Sequence, residues 1–291
     1  MVLMNGLAGC ENAEPLSEQV ISEPEILTEQ SKDSEFPEPT GVPFAEGDTV
    51  SYGDHIVERL SKKAKIFSGP GSSAVSIDVS YAVVRKNGKV VREFDGTYGG
   101  FGNATDFGLF TFLGGDAKQL AVSQTIPRGG RHWVYDLEEN RIVFDSSKWG
   151  VGREEFDVVD VNGDGVYEIS MPLIVFYMFE NMSMAETPLP EIVFKYDSSA
   201  KEYLPANPQF SDYVLRRVSD DIERVKNGDE IGYLGRRLGV VLKYLYVGKD
   251  REAWEFFDNE YKRDDKEEVK ARIKDELRKE KTYQFLLKTK K

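Results

Sequence analysis

Hydrophobic spacing changes once along this chain, near Phe210, and that change constrains its fold more than any other feature. Before it, apolar residues alternate. Val75, Ile77, Val79, Tyr81 and Val83 are interleaved with Ser76, Asp78, Ser80 and Ala82, which is the period of a strand with one buried face. After it they recur every three or four positions. Leu215, Val218, Ile222 and Val225 form one such set, and Ile231, Leu234, Leu238, Val241 and Leu245 another, the period of a helix with one buried stripe. The two periods are segregated along the chain. The expected class is therefore α+β, with an antiparallel β domain over residues 50–209 and a helical module over 210–291.

Turn residues subdivide both halves. Asn87-Gly88 lies between two strand-like runs and tolerates the positive φ of a tight hairpin. Residues 107–113, 120–126, 156–161 and 166–179 read as further strands. Two hairpins are expected at 133–137 with 141–145 and at 192–196 with 201–204. In the second half Gly228 and Gly248 supply stops, and Asp250 precedes a helix bearing Trp254, Phe257 and Tyr261. Asp265 with Glu268 makes a capping-box-like start for a helix lined by Val269, Ile273 and Leu277. Short connections imply antiparallel neighbours, so a four-helix module is expected. Gly235 and Gly239 enclose Arg236 and Arg237. That excludes a lipid-embedded pairing helix and points to close packing instead.

The chemical centre is Asp160-Val161-Asn162-Gly163-Asp164-Gly165-Val166-Tyr167-Glu168. Oxygen-bearing side chains fall at its first, third, fifth and ninth positions, and a glycine at the sixth allows a sharp turn. Calcium takes six to eight hard oxygen ligands. The expected set is Asp160, Asn162, Asp164, the Val166 carbonyl and Glu168. An EF-hand would place a bidentate Glu at the twelfth position, which here is Met171, and its flanks would be helical rather than strand-like. The same residues also suit an Asx-rich turn without metal, but three converging carboxylates would then repel one another.

This loop resembles the strand-flanked calcium loop of FG-GAP and VCBS repeats, which build integrin-type propeller blades and many bacterial surface proteins. The resemblance is sharpest over residues 156–170 and looser over the 133–145 hairpin. It implies that Asp160, Asn162, Asp164 and Glu168 hold calcium in a structural role. Those families repeat the loop, whereas one copy stands here. At ~40 to 45 residues per blade the β region holds about three blades, too few to close a ring. A partial propeller or a β-sandwich is expected.

A second resemblance concerns Leu7-Ala8-Gly9-Cys10, which holds the single cysteine of the chain. It is similar to the lipobox of bacterial lipoproteins, in which the cysteine sulfur carries a diacylglycerol. Residues 1–4 are apolar, Asn5 and Gly6 interrupt them, and no Lys or Arg precedes Cys10. Residues 1–9 thus read as a truncated signal segment. Residues 10–49 then read as a tether. Positions 11–49 carry eleven acidic residues against Lys32, together with five prolines. Like charges, prolines and few large apolar groups leave such a segment unable to offset its ordering entropy. A coil of that length reaches ~35 Å from a bilayer. The remainder has a net charge near −3, so the acidic pI describes the tether and no basic stripe awaits nucleic acid.

Catalytic signals are sparse. His55 and His132 are the only histidines, there is no Gly-x-Ser-x-Gly elbow, and His132 reads as a surface-loop residue. The glycine-rich residues 68–73 lack a phosphate-loop lysine, and Glu154 and Glu155 near Asp157 read as a solvated turn. Tyr98, Phe101, Arg128, Arg131 and Trp133 cluster in sequence and form the expected ligand face. The expected function is a non-catalytic, lipid-anchored, calcium-binding module of the bacterial envelope. Its partners would be the membrane, through Cys10, and an envelope protein or glycan. The alternatives are a secreted hydrolase acting on a glycan or peptide, and a cytosolic calcium-binding regulator.

Overall fold

The computed structural model describes residues 39–42, 49–66, 75–95, 104–126, 129–152, 157–228 and 232–289. Its strands come first and its helices second, so the class is α+β. The first sheet is β2 (Thr49–Tyr52), β3 (His55–Ile66), β4 (Val75–Lys86) and β5 (Lys89–Phe94). The second is β6 (Ala104–Phe110), β7 (Gln119–Ile126), β8 (Gly129–Asp136) and β9 (Arg141–Asp145), with β1 (Gly41–Val42) added outside β6. The third is β10 (Asp157–Val159), β11 (Glu168–Pro172), β12 (Glu191–Asp197) and β13 (Glu202–Pro205). Apart from the added β1, spatial order equals chain order in each, and every pairing is antiparallel. The chain thus makes three successive four-stranded meanders, and no closed propeller is formed among the described residues.

Alternation explains how the sheets stack. In β7 and β8 of the middle sheet, Leu120, Val122, Trp133 and Tyr135 join a cluster with Val57, Ala82, Val84 and Phe94 of the first sheet. Their sequence neighbours Ala121 and Val134 belong instead to a cluster with Ile169, Met171, Ile192 and Phe194 of the third. The middle sheet is therefore buried on both faces, β7 and β8 sending alternate side chains to opposite neighbours. Aromatic edges lock both contacts: Phe94 meets Tyr135 at 5.6 Å and Phe144 meets Phe194 at 5.1 Å between ring centres.

The helices are α1 (Ser211–Leu215), α2 (Val218–Asn227), α3 (Tyr233–Tyr246), α4 (Asp250–Glu260), α5 (Lys266–Lys279) and α6 (Lys281–Thr289). Six are present among the described residues where four are expected from periodicity. The expected first helix divides between Leu215 and Val218 into α1 and α2, and the last stretch divides at Glu280. That residue is extended (φ −81°, ψ 122°), and its carboxylate accepts from the Thr282 N–H at 2.7 Å, restarting the helix as a cap. Leu238, Val241, Leu242, Leu245, Phe257, Ile273 and Leu277 share one cluster with the third sheet. One core therefore crosses position 210. No helix among the described residues is long and apolar enough to cross a membrane.

Three further departures have physical causes. Strand β3 carries no clean apolar alternation. Charge pairs hold it: Glu58 with Arg85 at 2.6 Å and Lys63 with Asp78 at 3.3 Å across to β4, and Arg59 with Asp106 at 3.1 Å across to β6 of the second sheet. The run 166–179 is a strand only over Glu168–Pro172, since its pairing ends one residue on, where Leu173 donates its N–H to the Pro190 carbonyl at 2.9 Å and bridges Val151. Gly41 and Val42, within the expected 10–49 tether, lie in a strand. Gly41–Val42 pairs with Leu109 and Phe110, and Thr111 donates its N–H to the Thr40 carbonyl at 3.2 Å.

Candidate metal centre

The 160–168 loop joins β10 to β11, whose register pairs Asp157 with Ser170 and Val159 with Glu168. Gly163 (φ 70°) and Gly165 (φ 80°) occupy the left-handed region that L side chains avoid. These two bends turn the loop back on itself. The Asp160 carboxylate then accepts from the N–H groups of Asp164 (3.1 Å) and Gly165 (2.9 Å). Asn162 Oδ1 accepts from the same Asp164 N–H at 3.1 Å. Asp164 Oδ1 accepts from the Val166 N–H at 2.8 Å, and its Oδ2 from the Asn162 amide at 2.9 Å.

Glu168 closes the ring from below. It is fully buried, and its Oε2 accepts from the Val161 N–H at 3.0 Å. Its other oxygen, Oε1, is buried and has no hydrogen-bond partner among the described residues. Burial pushes the Glu168 carboxyl up to about 7; the Val161 N–H and Lys195 pull it down, and Asp164 and Asp160 push it further up. Asp164 behaves oppositely. Burial raises it, but the Val166 N–H, the Asn162 amide and the Lys195 ammonium outweigh that and hold it below the usual carboxylate range. Lys195 Nζ, on β12, stands 3.6 Å from Asp164 Oδ2.

Neighbouring elements clamp the loop. Tyr167 donates its N–H to the Phe112 carbonyl at 2.8 Å, and Tyr203 donates its hydroxyl to the Tyr167 carbonyl at 2.9 Å. The turn after β6 approaches so closely that a Cβ on Gly114 would stand 2.8 Å from the Gly165 carbonyl oxygen. The loop is thus wedged between the second and third sheets.

All five predicted ligand residues lie in this loop. Asp160, Asn162 and Asp164 are joined by hydrogen bonds, and Glu168 reaches the same turn through Val161. Their oxygens are turned toward the loop's own N–H groups. Among the described residues no group of three or more His, Cys, Asp or Glu side chains is gathered closely enough to hold a metal. The donor set nonetheless suits a hard cation, since it is all oxygen and one buried carboxylate oxygen is unsatisfied.

The other predicted residues fare differently. Cys10, Tyr98, Phe101 and Arg128 lie outside the described residues, as do Glu154, Glu155 and residues 68–73. Trp133 is not a surface residue. It is 3 % exposed, packed on Phe94 at 5.5 Å, and the Arg131 guanidinium lies 4.8 Å from its ring centre. Arg131 itself is paired with Asp145 at 2.7 Å. His132 is likewise buried rather than in a surface loop, because it falls inside β8, where its Nδ1 and the Ser123 hydroxyl share a hydrogen bond of 2.8 Å. Lys195 was not identifiable from sequence, since nothing local marks a residue 27 positions after Glu168 as its neighbour.

Compared with family models, characterised proteins and solved structures, the chain matches none.

Proposed function

We propose that this chain is a lipid-anchored, extracytoplasmic, calcium-binding interaction module whose metal is structural. Its three stacked meanders read as a partial propeller that does not close, with the helices covering the third sheet. The observation that carries the calcium reading is the buried, unpartnered Glu168 Oε1 beside the 6 % exposed Asp160. A buried carboxylate oxygen without a donor is unfavourable unless a proton or a cation joins it. Asp160, Asn162, Asp164, the Val166 carbonyl and Glu168 would hold calcium, which supplies the two positive charges this acidic turn lacks. Such a site pins a bend between two strands and needs no open coordination position.

The address rests on Cys10 and on the acidic composition of the residues after it. A binding role is favoured over hydrolysis because both histidines are buried, His55 at 5 % exposure and His132 at 0 %. With Trp133 in the core, the ligand surface is better sought at the cleft between the β12–β13 hairpin and α6. Lys195, Tyr196, Asp197, Gln209, Phe285 and Thr289 line it, a mixture of ring faces and polar groups suited to a glycan or a peptide.

Two measurements test this reading. Calcium is expected to raise the melting temperature of the wild type, and Asp164→Ala to abolish the rise. A transition indifferent to chelator would defeat the metal reading. Labelling cells with radioactive palmitate tests the anchor, which fails if Cys10 takes no label.

A further inference from the structure

The metal loop carries three carboxylates, Asp160, Asp164 and Glu168, and the neighbouring strand aims a cation at them. Lys195 reaches across from β12, the strand paired with β11 beyond the loop. Its Nζ lies 3.6 Å from Asp164 Oδ2. The same ammonium stands 5.6 Å from the ring centre of Phe210, whose face attracts the cation. The position is fixed by sheet register rather than by chance on a flexible surface, since Phe194 pairs with Ile169 and Lys195 with Leu204. Lys195 is the cation whose charge favours ionisation of both Asp164 and Glu168.

We infer that Lys195 is a resident counter-cation of the 160–168 loop, holding Asp164 in the metal-free arrangement and competing with a divalent ion for the same carboxylates. The inference rests on the calcium reading of that loop and concerns how its affinity is set. Asp164 Oδ2 is already taken by the Asn162 amide at 2.9 Å and faced by Lys195. Both have to turn away before that oxygen can serve a metal. The ammonium then stands near a doubly charged ion and is repelled by it, whereas in the metal-free loop it is attracted. Each effect weakens calcium binding, and neither requires Lys195 to change protonation.

Isothermal titration with calcium chloride on the wild type, Lys195→Met and Lys195→Arg tests this. Methionine keeps an unbranched stem and removes the charge. Lys195→Met is expected to bind calcium about tenfold more tightly than the wild type, from the Coulomb energy of a unit and a double charge across a largely solvated separation. Lys195→Arg is expected to match the wild type. In chelator, Lys195→Met is expected to melt about 1–3 °C lower, because the uncompensated carboxylates repel. An affinity for Lys195→Met equal to or weaker than wild type overturns the inference while leaving the calcium site intact. Calcium binding by none of the three proteins removes the calcium reading, and the inference with it.

Discussion

The Thr282 hydroxyl donates to the Trp149 carbonyl at 2.9 Å, joining the last helix to the end of the second sheet across 133 positions of sequence. Thr282 is fully buried, and Phe285 one turn on meets the Trp149 ring edge-on at 5.2 Å. Replacing Thr282 with valine keeps the shape and leaves a buried carbonyl without its donor. Such a loss costs about 1–3 kcal/mol. Urea unfolding of Thr282→Val should show a midpoint lowered accordingly with an unchanged slope.

The shared core makes a stronger claim about cooperativity. Phe194 of β12 and Leu242 of α3 lie in one cluster, both fully buried. Elements that pack into one shared cluster are expected to unfold together. Ellipticity, dominated by the helices, and the fluorescence of Trp149 in a Trp133→Phe, Trp254→Phe background should therefore trace the same transition. Phe194→Ala should lower it by about 3–5 kcal/mol for both signals. Separate transitions for the two signals would show that α1–α6 fold apart from the sheets.

Two glycines in α3 offer an internal control. A Cβ on Gly235 would stand 2.0 Å from the Glu186 carbonyl oxygen, whereas one on Gly239 would meet only the Pro188 side chain at an ordinary 3.7 Å. The partner is the β11–β12 connection rather than another helix, and the Gly232 N–H donates to the Glu186 carboxylate beside it at 3.0 Å. Gly235→Ala forces backbone apart and should destabilise by about 1–3 kcal/mol. Gly239→Ala restores helix propensity with only an ordinary contact to Pro188 and should stabilise by about 0.5–1 kcal/mol. Thermal scans of the two variants should move in opposite directions.

What was legible in the sequence follows the range of the forces involved. Hairpins announced by local turn chemistry, such as Asn87-Gly88 with φ of 50° and 77°, appear where the residues placed them. The 160–168 turn was equally legible, because its oxygens and glycines act within nine residues. Strand β3 was not, since its partners Asp106 and Arg85 are remote in sequence and its charges conceal the period. Trp133, expected on the ligand face, is buried for a related reason. Period two says that a residue faces one side of a sheet, but not that a second sheet covers that side. The split of the final helix at Glu280 depended on one carboxylate serving as a cap, which spacing of apolar residues does not record.

Glu168 supplies the last prediction, a dependence on pH in the metal-free protein. Its ordinary value is 4.5, and burial raises it to about 7 in the folded state. The folded chain therefore holds that proton more tightly than the unfolded chain does. Stability from this group is complete below 4.5, falls as pH rises toward about 7, and is flat beyond, with a total change of at most about 3 kcal/mol. Asp145 and Asp164 are held below the usual carboxylate range, so their contributions are lost only on further acidification and leave this window clear. Melting curves in chelator should fall in temperature between pH 5 and about 7, and Glu168→Gln should flatten them. Excess calcium should remove the fall in the wild type, because an ionised Glu168 then faces a cation in place of bare protein. A wild-type curve that stays level through this window would mean that Glu168 is solvated or already paired, and the argument for a cation at its free oxygen would lose its footing.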